Sequence, residues 1–326
     1  LPISSSQEQV TVVVPYYNER ENLPYLLQQL AEQTLPPHEV ILVDSGGNDG
    51  SSQVIDEWIA AQQPGIRFRN LHASTTTPGG SKSAGVKASQ GSLFAFMDCG
   101  LSFPKDWLER QVTVLQRDDV DWASGVCLTK GTTLVDKAAI AHTYGYMTAR
   151  PVIPGSVIRR RVFDRIGLFK DLRAGYDAEW ARAASNAGLR RYINDYVVVE
   201  YRGVNFAGDL IGVFLKSLRY ARPSVGRDDT VIPYVYLLVS LIGVVALVLS
   251  ASGTLPVEYS VGAVIVYLFG RTIIASRKSA NLSFFLKSPV RIICLLLTGT
   301  AMDLGKAAGF ITGIVLRHVM RRRIVR

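Results

Sequence analysis

Residues 93–98, Leu-Phe-Ala-Phe-Met-Asp, are an apolar run ending on a carboxylate. A run so short and apolar reads as a strand buried on both faces. In open α/β sheets ligands bind at the carboxyl ends of the strands. Asp98 is therefore expected at the mouth of a crevice, where its carboxylate can hold a metal ion or a ribose hydroxyl. No second acid follows, because position 100 is glycine. Two other runs end the same way: Val10–Val14 leads into Pro15, Tyr17, Asn18 and Glu19, and Val40–Val43 leads into Asp44. Taken singly, Asp44 or Asp98 reads as a turn former or helix cap. Strand ends of one parallel sheet lie side by side, so three together point to a site.

The elements that must position these groups alternate. Strands are predicted at 10–14, 40–43, 66–70 and 93–98. Between them, Asn22–Gln33 has helical spacing with Leu23, Leu26, Leu27 and Leu30 on one face. A second helix starts near Ser52 after the turn Ser45-Gly46-Gly47-Asn48-Asp49-Gly50-Ser51, and a third follows Pro78-Gly79-Gly80-Ser81. This order predicts an α/β fold with a doubly wound, mostly parallel sheet. Downstream, a strand is expected over 119–128, a helix over 138–150, extended chain over 152–158 and a short helix over 161–166. A helix over 177–187, a strand over 196–201 and an amphipathic helix over 208–221 complete the prediction.

Four stretches, in this order and spacing, resemble family 2 glycosyltransferases of GT-A fold. They are Val12-Val13-Val14-Pro15-Tyr16-Tyr17-Asn18-Glu19, Asp44 to Ser51, Gly80-Ser81-Lys82-Ser83-Ala84-Gly85 and Phe96-Met97-Asp98. The resemblance covers about residues 10–205. It implies that Pro15 and Tyr17 line the nucleotide pocket, with Tyr17 stacked on the base. Glu19 and Asp44 would accept from ribose or base N–H groups, and Lys82 would approach the diphosphate. Asp98 would be the first acid of an Asp-x-Asp element that binds Mg²⁺ or Mn²⁺, with Gly100 replacing the second. A lone carboxylate predicts weakened but real metal dependence, since magnesium is held by one or two carboxylates plus substrate phosphates.

Gly175-Tyr176-Asp177-Ala178-Glu179 resembles the acceptor-side Glu-Asp element, with Asp177 as general base and Tyr176 where glutamate is usual. Inverting transfer needs a carboxylate to take the acceptor's proton. Without the resemblance, Asp177 and Glu179 read equally well as acids favoured at a helix N-terminus. Lys216-Ser217-Leu218-Arg219-Tyr220 resembles a degenerate Gln-x-x-Arg-Trp element, in which Arg219 would contact the diphosphate. An interfacial basic helix explains it as well.

Of 326 residues, 48% are hydrophobic and the net charge is +9. From Thr230 to Val257 there is no charge, a length sufficient to cross a bilayer. Basic residues cluster beside this run, at Arg219, Arg222 and Arg227, and at the end, at Arg317, Arg321, Arg322, Arg323 and Arg326. Such clusters suit an anionic membrane surface; no nucleic-acid recognition pattern is visible. The expected organisation is a catalytic domain at 1–228 and a membrane region at 229–326. The latter holds spans at about 231–252 and 257–276, an interfacial or re-entrant helix at about 288–316, and a basic tail. The positive-inside rule puts catalytic domain and tail in the cytoplasm, at the inner membrane. The opening Leu1-Pro2-Ile3-Ser4 has no signal-peptide pattern. Three irregularly spaced cysteines imply neither disulfides nor a zinc site. The four histidines lack metal-ligand spacing, and only His142 lies in the expected acceptor region.

These features predict a membrane-anchored inverting glycosyltransferase. It would move a sugar from a nucleotide-diphosphate donor, UDP by preference, to a lipid-linked or growing saccharide acceptor. The alternatives are a polyprenyl-phosphate sugar synthase and a weakly catalytic scaffold that binds sugar nucleotides.

Overall fold

The computed structural model describes residues 9–61, 65–201, 207–222, 225 and 232–324. The opening Leu1–Ser6, the basic residues Arg227 and Arg326, the start of the uncharged run at Thr230 and the 228/229 boundary lie outside the described residues, as do the side chains of Arg321–Arg323. Described residues group into two compact units. One is drawn from 1–128 and 149–202, the other from 129–148 and 203–326.

The first unit is built on one sheet. Its strands are β1 (Val10–Tyr16), β2 (Glu39–Asp44), β3 (Arg67–His72), β4 (Leu93–Phe96), β5 (Leu101–Ser102), β6 (Trp122–Leu128), β7 (Arg150–Pro151), β8 (Val157–Arg159) and β9 (Arg191–Tyr201). The order is β3-β2-β1-β4-β8-β6-β9-β5, with β7 beside β6. β3, β2, β1 and β4 run parallel to one another, while β8 runs antiparallel to both β4 and β6. The expected α/β fold with a mostly parallel sheet is present, and the antiparallel pairings of β5, β7 and β8 make that sheet mixed.

The pleat explains why the strands read as continuous apolar runs. Alternate residues face opposite sides, and both sides are covered. Val12, Val14, Val40, Leu42 and Ala95 enter one core, with Leu23, Leu26 and Leu27 of α1 (Leu23–Ala31) and Trp107 and Leu108 of α4 (Trp107–Leu115). Val13, Ile41, Val43, Phe94 and Phe96 enter the other. There they meet Val86 of α3 (Pro78–Ala88), Phe163 of α6 (Arg160–Ile166) and Trp180 of α7 (Tyr176–Asn186). Proline is disfavoured in a central strand because it cannot donate to the ladder. Pro15 is tolerated because β4 pairs with β1 only as far as Val13 opposite Phe96.

Some boundaries differ from the sequence reading. α5 spans Leu134–Thr143, not 138–150, because Thr133 and Asp136 form a capping box upstream. β9 begins at Arg191, five residues early, because its first half pairs in parallel with Trp122–Ser124 before a register shift. α2 (Ser51–Ala61) follows the glycine-rich turn.

The second unit is helical: α5, α8 (Leu210–Ala221), α9 (Ile232–Ala251), α10 (Val257–Lys278), α11 (Ser283–Leu286) and α12 (Pro289–Ile324). α8 and α12 touch backbone to backbone. A Cβ at Gly305 would lie 2.3 Å from the Phe214 carbonyl oxygen, at Gly309 2.5 Å from that of Leu218, and at Gly313 2.5 Å from that of Arg222. Glycine every fourth residue opens one helix face to such an approach. Asp136 accepts from the backbone N–H groups of Ala207 and Gly208, at 3.0 and 3.4 Å, and so ties the entry to α8 onto α5. Among the described residues, one helical segment, 289–318, is long and apolar enough to cross a membrane. Of its apolar 18-residue stretch, 44% is buried within the protein.

Candidate active site

Tyr17 to Glu19, Asp44 and Asp98 follow the carboxyl ends of β1, β2 and β4, on one side of the sheet. The loops carrying them are locked together by local polar geometry. Asn18 takes a left-handed backbone, φ 54°, and its side-chain oxygen accepts from the Asn48 N–H at 2.8 Å. Gly47 lies so close that a Cβ there would sit 2.8 Å from the same oxygen. Ser51 Oγ accepts from the Glu19 N–H at 2.8 Å and donates to Asp49 at 2.5 Å. The turn after β2 is therefore fastened to the end of β1.

Within this frame Tyr17 is 53% exposed. The Glu19 carboxylate accepts from Asn22 Nδ2 at 2.7 Å. Burial raises its pKa above the usual carboxylate range, the Asn22 hydrogen bond opposes that, and the charges of Asp98 and Asp49 add to it. Asp44 is buried. Its Oδ1 accepts from the N–H groups of Gly46 and Gly47 at 3.0 and 3.1 Å, which makes it a turn former in fact. Its Oδ2 faces His72 Nδ1 at 3.3 Å. β2 and β3 are in register with Asp44 opposite His72. Histidine at that position was the signal that sequence reasoning passed over.

Lys82 is fully buried in α3. Its Nζ donates to Asp98 Oδ1 at 2.5 Å, and it lies 5.6 Å from the centre of the Tyr176 ring. Burial, the largest influence, favours the neutral amine. The Asp98 charge, with Tyr176, overrides it and holds the Lys82 pKa above the ordinary range. The Asp98 side chain keeps 27% of its surface exposed. Gly100 has φ +77°, a region where an L side chain is strained, so the backbone here disfavours any second acid. Cys99 is a buried thiol whose pKa burial pushes up, so it is a packing residue.

Tyr176 was read as an acceptor-side departure. It points inward instead, 9% exposed, between Lys82 and Phe169. A close approach of chain segments makes this possible. A Cβ on Gly79 would lie 2.2 Å from the Lys170 carbonyl oxygen and 3.0 Å from the Tyr176 ring, so α3 begins directly against the 170–176 loop. Thr75 and Thr77 both donate to Asp171 in that loop. Asp177 follows Tyr176 in the first turn of α7 and is half-buried. Its carboxylate has no hydrogen-bond or ion-pair partner among the described residues, whereas Glu179 is paired with Lys170.

One chain of contacts thus runs from Asp98 through Lys82 and Tyr176 to the turn bearing Asp177. Pro15, Tyr17, Glu19 and Asp44 stand on neighbouring strand ends. Arg219 belongs to the second unit, exposed in the last turn of α8. His142 also lies there. It is buried in α5 with its Nε2 2.8 Å from the Leu295 carbonyl, a packing role.

Among the described residues no three His, Cys, Asp or Glu side chains gather as a cation site. The Lys82 bond takes Asp98 Oδ1 and the side chain keeps part of its surface exposed, so a divalent ion would fit here as a one-carboxylate site completed by phosphate oxygens and water.

The family described as Glycosyl transferase family 2 matches residues 11–197. Glycosyltransferase AglE of Haloferax volcanii is 27% identical over 222 residues, covering 62% of this chain and 66% of that protein. The undecaprenyl-phosphate 4-deoxy-4-formamido-L-arabinose transferase of Serratia proteamaculans is 33% identical over 118 residues, covering 33% of this chain and 34% of that one. The chain therefore spans less than two thirds of the length of these curated relatives. Among solved structures, mannosyltransferase PcManGT from Pyrobaculum calidifontis, in complex with GDP-Man and Mn²⁺, superposes with TM-score 0.52 at 18% identity, covering 95% of this chain and 87% of that one. Fold and family match agree: this chain belongs to glycosyl transferase family 2. Its core is of GT-A type.

Proposed function

We propose that this chain is an inverting glycosyltransferase. It moves a sugar from a nucleotide-diphosphate donor, carried by UDP, to a lipid-linked or growing saccharide. Transfer takes place at the cytoplasmic face of the inner membrane. The observation that carries the reading is the Asp177 carboxylate, which has no hydrogen-bond or ion-pair partner among the described residues and is joined through Tyr176 and Lys82 to Asp98 at the carboxyl edge of the sheet.

Tyr17 offers an exposed aromatic side chain for the base, and base stacking on an aromatic ring contributes about 1–3 kcal/mol. Glu19 and Asp44 supply acceptors, and Pro15 shapes the pocket wall. Asp177 takes the acceptor hydroxyl's proton while that oxygen attacks the anomeric carbon from the face opposite the diphosphate. The bond from that carbon to the diphosphate oxygen breaks, and the nucleoside diphosphate leaves with the electron pair. Mg²⁺ or Mn²⁺ held by Asp98 would neutralise charge on the diphosphate.

Membrane attachment through 229–326 fits the chemistry of the second unit. α9 and α10 expose apolar side chains such as Leu241, Val248, Val264 and Phe269. α12 buries one face and exposes Val290, Ile293, Leu297, Leu304 and Ile311 on another. In this reading α9 and α10 cross and α12 lies in the interface; a crossing by α12, whose segment 289–318 is long and apolar enough among the described residues, is the competing topology. Protease cleavage of the basic tail from the periplasmic side of spheroplasts would reverse this topology.

The names of relatives such as the Serratia enzyme favour a second reading, in which the acceptor is a polyprenyl phosphate itself. Radiolabelled transfer from UDP-sugars to extracted lipid tests both. Label released from lipid by mild acid as free sugar supports the polyprenyl-phosphate acceptor, and acid-stable product supports the saccharide acceptor. UDP binding without any transfer would leave only a sugar-nucleotide-binding scaffold.

A further inference from the structure

The grip of Lys82 on Asp98 bears on how a cation could enter this site. Lys82 has no solvent exposure, and its Nζ holds Asp98 Oδ1 at 2.5 Å. It has little room to swing away. The Tyr176 ring lies 5.6 Å from its nitrogen, and that ring packs edge-on against Phe169 at 5.8 Å. The helix bearing Lys82 begins against the Lys170–Leu172 backbone, where only Gly79 fits. Other acids give no help. Gly100 carries no side chain, and the Glu19 carboxylate is held by Asn22 at 2.7 Å. Without nucleotide, the protein offers a cation one oxygen of a carboxylate already neutralised by an ammonium. The same neutral pair removes a negative charge that would repel a diphosphate.

We infer that Lys82, held by Tyr176, masks Asp98, so that a divalent cation is recruited by the donor's diphosphate and not by the protein alone. Lys82 and Tyr176 are then positioning residues acting through Asp98. This rests on the nucleotide-diphosphate reading above.

The test is Mn²⁺ binding to the full chain in detergent, followed by the electron paramagnetic resonance of free Mn²⁺, with and without UDP. Wild type takes up Mn²⁺ at least about tenfold more tightly with saturating UDP than without it. Lys82→Met removes the masking charge and gains Mn²⁺ affinity without UDP by at least about tenfold, as one charge at this distance commands. Lys82→Arg keeps the wild-type pattern. Should Lys82→Met not fold, Tyr176→Ala loosens the lysine and carries the same expectation at about threefold. Equal Mn²⁺ affinity with and without UDP, or variants that leave the Mn²⁺ affinity unchanged, overturns the inference while leaving the donor reading intact. If neither UDP nor GDP binds with or without Mn²⁺, the donor reading itself fails and the inference with it.

Discussion

Each unit of this molecule contains a buried ion pair, and the two are built for opposite ends. In the sheet unit, Lys82 is wholly enclosed but Asp98 keeps 27% of its side chain open. In the helical unit, Arg271 of α10 and Asp303 of α12 pair at 2.8 Å with side-chain exposures of 7% and 10%. The Tyr267 hydroxyl donates to the same Asp303 oxygen at 2.8 Å. Gly299 lets α12 close over the cluster, since a Cβ there would lie 2.8 Å from His142 Nε2 and 3.4 Å from Arg271 Nε. The closed pair lets two charges sit among apolar helices. The open pair presents a neutralised carboxylate to whatever enters the crevice. Enclosure, more than charge, separates the structural pair from the chemical one.

Breaking the closed pair has the largest expected effect on stability. Arg271→Leu leaves Asp303 buried and uncompensated and costs about 3–5 kcal/mol. Arg271→Leu with Asp303→Leu together recovers most of it, as read by thermal unfolding of the full chain in detergent. By contrast Asp98→Asn, at the open pair, leaves the enclosed Lys82 ammonium with only an amide acceptor and costs about 2–3 kcal/mol of stability, but it also costs at least about a hundredfold in transfer rate. If the two pairs gave the same split between stability and rate, the contrast would be wrong.

Acid should undo the helical unit in two stages. Burial first, then Arg271, push the His142 pKa down to about 4. The folded state holds this ring neutral, so stability is full above pH of about 6.5 and is lost as pH falls toward 4. His142→Gln removes that stage. For Asp136 burial raises the pKa, but hydrogen bonds from the Thr133 and Ala207 backbone and from the Thr132 and Thr133 hydroxyls outweigh it and bring the value to about 2. This group favours the folded state above its unfolded pKa near 4, by about 2 kcal/mol, and loses that as pH falls to 2. Asp136→Asn flattens the second stage in a pH series of melting curves.

The smallest effect belongs to Glu19. Its raised pKa means that the folded state disfavours its charge. The favourable contribution is present at low pH and lost as pH rises through the folded value. Glu19→Gln should therefore raise the melting temperature at pH 7, by about 1 °C for a group only half-buried, and leave it unchanged at pH 3. Weaker UDP binding in the same variant sharpens its assignment to the donor pocket.

The strands of the sheet unit were legible because β-branched and aromatic runs covered on both faces leave a plain mark in sequence. Asp44 and Asp98 were legible as strand-end acids for the same reason. Other features depend on contacts distant in the chain. Tyr176 reads as a missing acceptor contact until its ring is found over Lys82, 94 positions upstream, and nothing local in either segment signals that approach. The inward turn of Lys82 is hidden likewise, because α3 is flanked by small residues that look the same whether they face water or chain. The start of α5 was missed for a different reason. Thr133 and Asp136 spell a capping box, and the charges of Asp136 and Lys137 interrupt the apolar residues, so that Leu134 and Val135 read as loop before the run from Ala138. The Arg271–Asp303 pair joins charges 32 positions apart, which in sequence argue against burial of either helix.

The most direct test of the account is single-turnover transfer by Asp177→Asn beside its UDP binding. The account predicts UDP affinity within about twofold of wild type and a transfer rate lower by at least about a hundredfold. Transfer within about tenfold of wild type would contradict the assignment of Asp177 as the base and, with it, the arrangement that joins donor and acceptor in this site.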